Sequence, residues 1–141
     1  MGPPTPEPGP TCHEDHPDAK CAAAHGARST GRRVGGWIFV SALFGVHGDT
    51  GQPPKDSSDE AAQLFENLTA VLAAAGAQLT DVVRVGIFMK DLQRDRPVFN
   101  EMWVKYFRGH RPARFAVQAA DFGPPTVDLR YMVEAVARRE P

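Results

Sequence analysis

From position 26 onward the chain has no cysteine: Cys12 and Cys21 both fall in residues 1–25. A body without cysteine owes nothing to disulfides, and a reducing compartment, the cytoplasm, is the expected setting. Long apolar runs are missing as well. Nothing approaches the ~18 consecutive apolar residues of a spanning helix, so no membrane association is expected. The N-terminus lacks the basic and then apolar stretches of a secretory signal. Excess positive charge is also absent. Residues 1–25 hold one Lys and four acids, which leaves 15 basic against 13 acidic residues in 26–141. A nucleic-acid partner would call for a basic stripe, so none is expected. There is no Gly-rich phosphate loop, no Gly-x-Ser-x-Gly elbow and no His-Glu-x-x-His, which sets aside the chemistries those motifs carry.

What is present falls into two parts. Residues 1–25, dense in proline and without hydrophobic periodicity, read as a flexible Pro-rich tail, and 26–141 as one α+β domain. Cys12, His13, His16, Cys21 and His25 are capable metal ligands. Their spacing matches no zinc finger, so no metal site is assigned.

Within the domain, Arg32-Arg33-Val34 and Trp37 to Phe44 read as two strand pieces joined by a tight turn at Gly35-Gly36. Turn residues from His47 to Pro54 mark a loop. Ser57, three residues before Glu60, suggests a capping box. A helix is expected from Ser58 to Ala75, ending at Gly76. Ala61, Leu64, Phe65, Leu68, Val71, Leu72 and Ala75 form its inner stripe, with Asp59, Glu60, Gln63, Glu66 and Asn67 outward. Asp81 to Lys90 reads as a strand with Val83, Val85, Ile87 and Met89 on one face. A second helix is expected after Asp95-Arg96-Pro97, ending at Arg108-Gly109. Strands follow at Ala113–Ala120 and Val127–Ala137. Two helices are too few to cover both faces of a sheet. The expected architecture is a sandwich: a mixed sheet, two helices on one face, and an open face buried by other subunits.

His110-Arg111-Pro112-Ala113-Arg114-Phe115 then draws attention. Arg114 stands at the mouth of a strand that reads as buried. A planar, permanently charged fork there needs an anion, either a protein carboxylate such as Glu134 or Asp128 or one carried by a ligand. His110 reads as a solvated loop residue, and Trp103 and Tyr106 as core or subunit contact.

Trp37-Ile38-Phe39-Val40-Ser41, Glu66-Asn67-Leu68, Asp81-Val82-Val83, Lys90-Asp91-Leu92, Phe99-Asn100-Glu101, Arg111-Pro112-Ala113-Arg114 and Val133-Glu134-Ala135-Val136-Ala137 together resemble the Rid/YjgF family of reactive-intermediate deaminases, over roughly 26–137. The resemblance implies a chorismate-mutase-like fold, a homotrimer with clefts between subunits, and cofactor-free hydrolysis of imines and enamines of 2-keto acids. It also implies a small carboxylate substrate held by Arg114, with backbone groups at Ala116 holding substrate and water. Ser41 and Asn100 match positions near the cleft.

The departures from the family pattern are specific. Its cysteine after the arginine is Ala116 here, and the glutamate that contacts the attacking water aligns with Met132. An aromatic residue near the start aligns with Arg28, and the Ser-Gly-Gln run is Ser41-Ala42-Leu43. Met132 and Leu43 would make the pocket more apolar, and Arg28 would add a positive charge. Three functions stay open: an imine deaminase of altered range, a tautomerase or cyclase using the same pocket, and a non-catalytic trimer binding a carboxylated metabolite.

Overall fold

The computed structural model describes Gly2 and residues 30–140. The tail with its cysteines and histidines, and Arg28, lie outside the described residues. Gly31–Val34 (β1) and Trp37–Phe44 (β2) form the expected hairpin, with Val34 opposite Trp37 and Gly35 in the left-handed region at φ 58°. Only glycine takes that conformation without strain. The helix Ser57–Ala74 (α1) follows, then a short 3-10 turn at Leu79–Asp81, the strand Val82–Met89 (β3), the helix Leu92–Phe107 (α2), and the strands Ala113–Gln118 (β4) and Tyr131–Arg138 (β5). The sheet order is β1-β2-β5-β3-β4, with β4 parallel to β3 and the remaining pairs antiparallel. It is the mixed α+β sheet expected, and no helix among the described residues is long and apolar enough to cross a membrane.

Ile38, Val40, Val85, Ile87, Val133 and Ala135 point to one face and share a single core with the inner stripes of both helices. Each fully buried side chain of Leu or Phe size contributes about 1.5–3 kcal/mol. Phe65 of α1 is the hub. Its ring stacks on Tyr106 at 5.1 Å and meets Phe99 at 5.4 Å and Phe107 at 5.8 Å, all from α2. The wide apolar face of α2 is thereby explained: it serves α1 as well as the sheet.

Several expectations are corrected. Asp56, not Ser57, caps α1, its carboxylate accepting from the Ser58 and Asp59 amides at 2.9 and 3.2 Å. Glu60 faces inward and is fully buried. Its carboxylate accepts from the amides of Arg130 and Tyr131 and from the Arg130 guanidinium at 3.0 Å, stapling α1 to the start of β5. Burial pushes its carboxyl above the ordinary range against those donors. Asn67 is buried too, donating to the Phe44 and Val46 carbonyls. Val83 is exposed and Val82 buried, because a register shift between Val82 and Arg84 turns the strand's first residue over. The helix α2 starts earlier than expected, capped by Asp91, so Pro97 lies within it and forgoes one ladder hydrogen bond.

Among the described residues no helix packs on the other face of the sheet. Phe39, Phe115 and Val117 lie there half-exposed, around an ion pair between Arg84 and Glu134 at 2.9 Å. A Cβ on Gly86 would come within 2.7 Å of both Glu134 Oε1 and the Phe115 ring, so only glycine lets those two side chains cross the strand.

Candidate active site

The site grows from the end of α2. Arg108 and Gly109 both adopt left-handed backbone, at φ 50° and 93°, and reverse the chain. His110 then locks the connection: its Nε2 lies 2.7 Å from the Val82 carbonyl, which can only accept, so that nitrogen carries the proton. His110 is thus part of the scaffold rather than a solvated loop residue. Pro112 is buried and leads into β4.

Arg114 is the second residue of β4. Because β4 pairs only with β3, it is an edge strand, and Arg114 is exposed in the single chain rather than inside as expected. Its guanidinium lies 4.7 Å from the Trp103 ring centre, and its Nη2 donates to Asn100 Oδ1 at 2.8 Å. Two residues of one helix face, a turn apart, therefore hold the fork flat and aimed. Trp103 is itself braced by Phe107 at 4.4 Å and so is tied into the aromatic core.

Neither proposed protein counter-ion meets Arg114. Glu134 pairs with Arg84 and Asp128 with Lys90. Among the described residues Arg114 has no carboxylate partner. Partial burial, and then repulsion from Arg96, push its pKa down. It lines a cavity of about 480 Å3 together with Asn100, Trp103, Phe107, His110 and Arg111. The remaining N–H groups of the fork match the geometry of a planar carboxylate.

The other candidates are placed elsewhere. Ala116 lies two residues along β4, half-buried against the core. Ser41 is half-buried where β2 and β5 change register, its amide bonded to the Thr30 carbonyl at 2.9 Å. Leu43 is a core residue, 5% exposed. Met132 lies half-buried on the helix-free face, opposite Phe44 and Phe88. In the sheet order β2 and β4 are separated by two strands, roughly 14 Å at the usual spacing. Within one chain the structure brings Arg114 and Asn100 together and leaves Ser41, Leu43 and Met132 apart from them. Trp103 and His110 were not legible as site residues. An aromatic on an apolar stripe looks like core, and the carbonyl His110 meets is far away in sequence.

A family model described as endoribonuclease L-PSP matches residues 19–137. A 2-iminobutanoate/2-iminopropanoate deaminase of Rattus norvegicus is 36% identical over 124 residues, covering 87% of this chain and 88% of that protein. Among solved structures, the YjgF gene product of E. coli matches with a TM-score of 0.78 at 31% identity, over 92% of this chain and 98% of that one. E. coli TdcF with bound serine matches with a TM-score of 0.76 at 29% identity, over 96% and 97%. An α+β chain whose edge-strand Arg114 has no carboxylate partner among the described residues is thereby placed. It belongs to the endoribonuclease L-PSP family, the YjgF/Rid group that its sequence resembles.

Proposed function

We propose that this protein hydrolyses a reactive imine or enamine of a 2-keto acid to the keto acid and ammonia, with Arg114 anchoring the substrate carboxylate. The observation that carries this reading is an arginine without a carboxylate partner among the described residues, held in place by Asn100 and Trp103 at the wall of a cavity. Relatives named imine deaminases support it.

A 2-imino acid presents a planar carboxylate next to its electrophilic carbon. Two charge-assisted hydrogen bonds from the fork fix that group, each worth about 1.5–3 kcal/mol. Fixing it orients the C=N carbon toward water, an effect of position rather than of added reactivity. The water oxygen bonds to carbon as the π pair moves to nitrogen, which takes up a proton. The resulting carbinolamine then loses ammonia as its C–N bond breaks and the carbonyl forms. Backbone groups at Ala116 are assigned to holding substrate and water.

The site works between copies of the chain. Ser41 lies three strand spacings from β4 and Met132 projects from the opposite sheet face to Arg114, and the helix-free face exposes Phe39, Phe115 and Val117. Both features support a homotrimer with its clefts at the interfaces. A ribonuclease has weaker support: His110 has Nε2 committed to the Val82 carbonyl, and His47 lies in the exposed loop before α1.

One feature favours a second reading. Met132 supplies no proton-transfer group where the family pattern has a glutamate, which suits a catalyst or binder that keeps the anion pocket without hydrolysis. An amino-acid oxidase that generates a 2-imino acid in the presence of the protein separates the two. Faster loss of trapped imine is expected. An unchanged rate, with 2-oxobutanoate still raising the melting temperature, rejects hydrolysis and leaves binding.

A further inference from the structure

The cavity holds more positive charge than one carboxylate would use. Arg111 lines it beside Arg114, and no aspartate or glutamate does. Several arginines outside the cavity do meet a partner: Arg84 meets Glu134, Arg94 meets Asp95, Arg130 meets Glu60 and Arg139 meets Asp81, while Arg33 donates to the carbonyls of Gly35, Ala75 and Arg139. Among the described residues Arg111 and Arg114, which line the cavity, and Arg96, in the first half of α2, have no carboxylate partner.

Local backbone explains why Arg111 stays available. Pro112 follows it, and the residue before a proline is held extended. Arg111, Pro112, Ala113 and Arg114 therefore form a stiff run in which the two Cα atoms stand roughly 10 Å apart at the usual rise per residue. Both residues line the same cavity. Two arginines converging on one space, with apolar Trp103 and Phe107 between them and the core, suit a short ligand with an anionic group at each end.

We infer that Arg111 forms a second anion subsite, so that the preferred substrate is the imine of a dicarboxylic 2-keto acid rather than of a monocarboxylic one. The inference rests on the reading of Arg114 as the anchor for the first carboxylate. Arg111 is then a specificity-determining residue: it binds the distal carboxylate and touches no reacting atom.

Calorimetric titration of the full chain with 2-oxoglutarate and with 2-oxobutanoate tests this. The dicarboxylate is expected to bind about ten- to a hundredfold tighter. Arg111→Ala, and Arg111→Gln as a second variant, should remove that excess and leave 2-oxobutanoate affinity unchanged. Arg114→Ala should abolish binding of both. Equal affinities in the wild type, or an Arg111 variant that weakens both ligands alike, overturns the second subsite while the Arg114 reading stands. Binding of both ligands untouched by Arg114→Ala overturns the anchor, and the inference with it. Binding of neither ligand by the wild type contradicts both readings.

Discussion

Arg114 is held by two neighbours that make different demands. Asn100 supplies a directional acceptor, and Trp103 a flat surface. Asn100→Ala should leave the charge in place but free its orientation, lowering kcat/KM about tenfold with little change in melting temperature; steady-state kinetics beside a thermal melt checks both halves. Met132→Glu is expected to raise imine hydrolysis by up to about 10²-fold, because it restores a group able to handle a proton. A loss or no change would mean that Met132 does not face the reacting water. At this scale the sequence was partly legible. An arginine at a strand mouth raises the question of an anionic partner, because a planar charged fork pairs best with a carboxylate or phosphate. Its exposure was not legible, because periodicity does not say which strand lies at a sheet edge. Nor was the occupation of Glu134 and Asp128 by Arg84 and Lys90, which only the folded register decides.

The helices and strands depend on contacts that hydrophobic pattern alone cannot reveal. α1 is capped by Asp56, whose pKa is lowered from 3.8, first by the Ser58 hydroxyl and then by the Asp59 and Ser58 amides. A depressed folded pKa gives stability that is present above pH 3.8 and lost as pH falls through the folded value. Asp56→Asn keeps an acceptor at the cap and removes the charge. Wild type should therefore be more stable at neutral pH, with the gap closing in acid, as denaturant titrations at several pH values would show. Glu60 is a staple between elements. Glu60→Gln turns one acceptor into a donor facing other donors and should cost about 1–3 kcal/mol in unfolding free energy. α2 begins at Leu92 rather than after Pro97 because Asp91 caps it, whereas the 3.6-residue stripe located α1 and most of its inner face. It misassigned Glu60 and Asn67 because their partners, Arg130 and the Phe44 and Val46 carbonyls, lie far off in sequence. Val83 failed for a related reason: one irregular residue at the start of β3 reverses which side chain faces in, and alternation carries no sign of it.

Taken whole, the molecule covers one face of its sheet and leaves the other partly apolar. The count of two helices against five strands makes that asymmetry legible in the sequence, as it does the α+β class. What covers the open face follows from the proposed assembly. Val117→Asp places a charge on that face without touching the core, so it should shift the protein to monomer in sedimentation equilibrium and abolish hydrolysis together. A trimer that persists at full activity would mean that this face is not the interface. The central claim is the carboxylate anchor, and the most direct measurement is the rate of imine loss in the oxidase-coupled assay, wild type against Arg114→Ala. The account predicts acceleration by the wild type and a fall of at least about 10²-fold in the variant, which should remain folded because Arg114 lies at the sheet edge. An Arg114→Ala protein that clears imine as fast as wild type would contradict it.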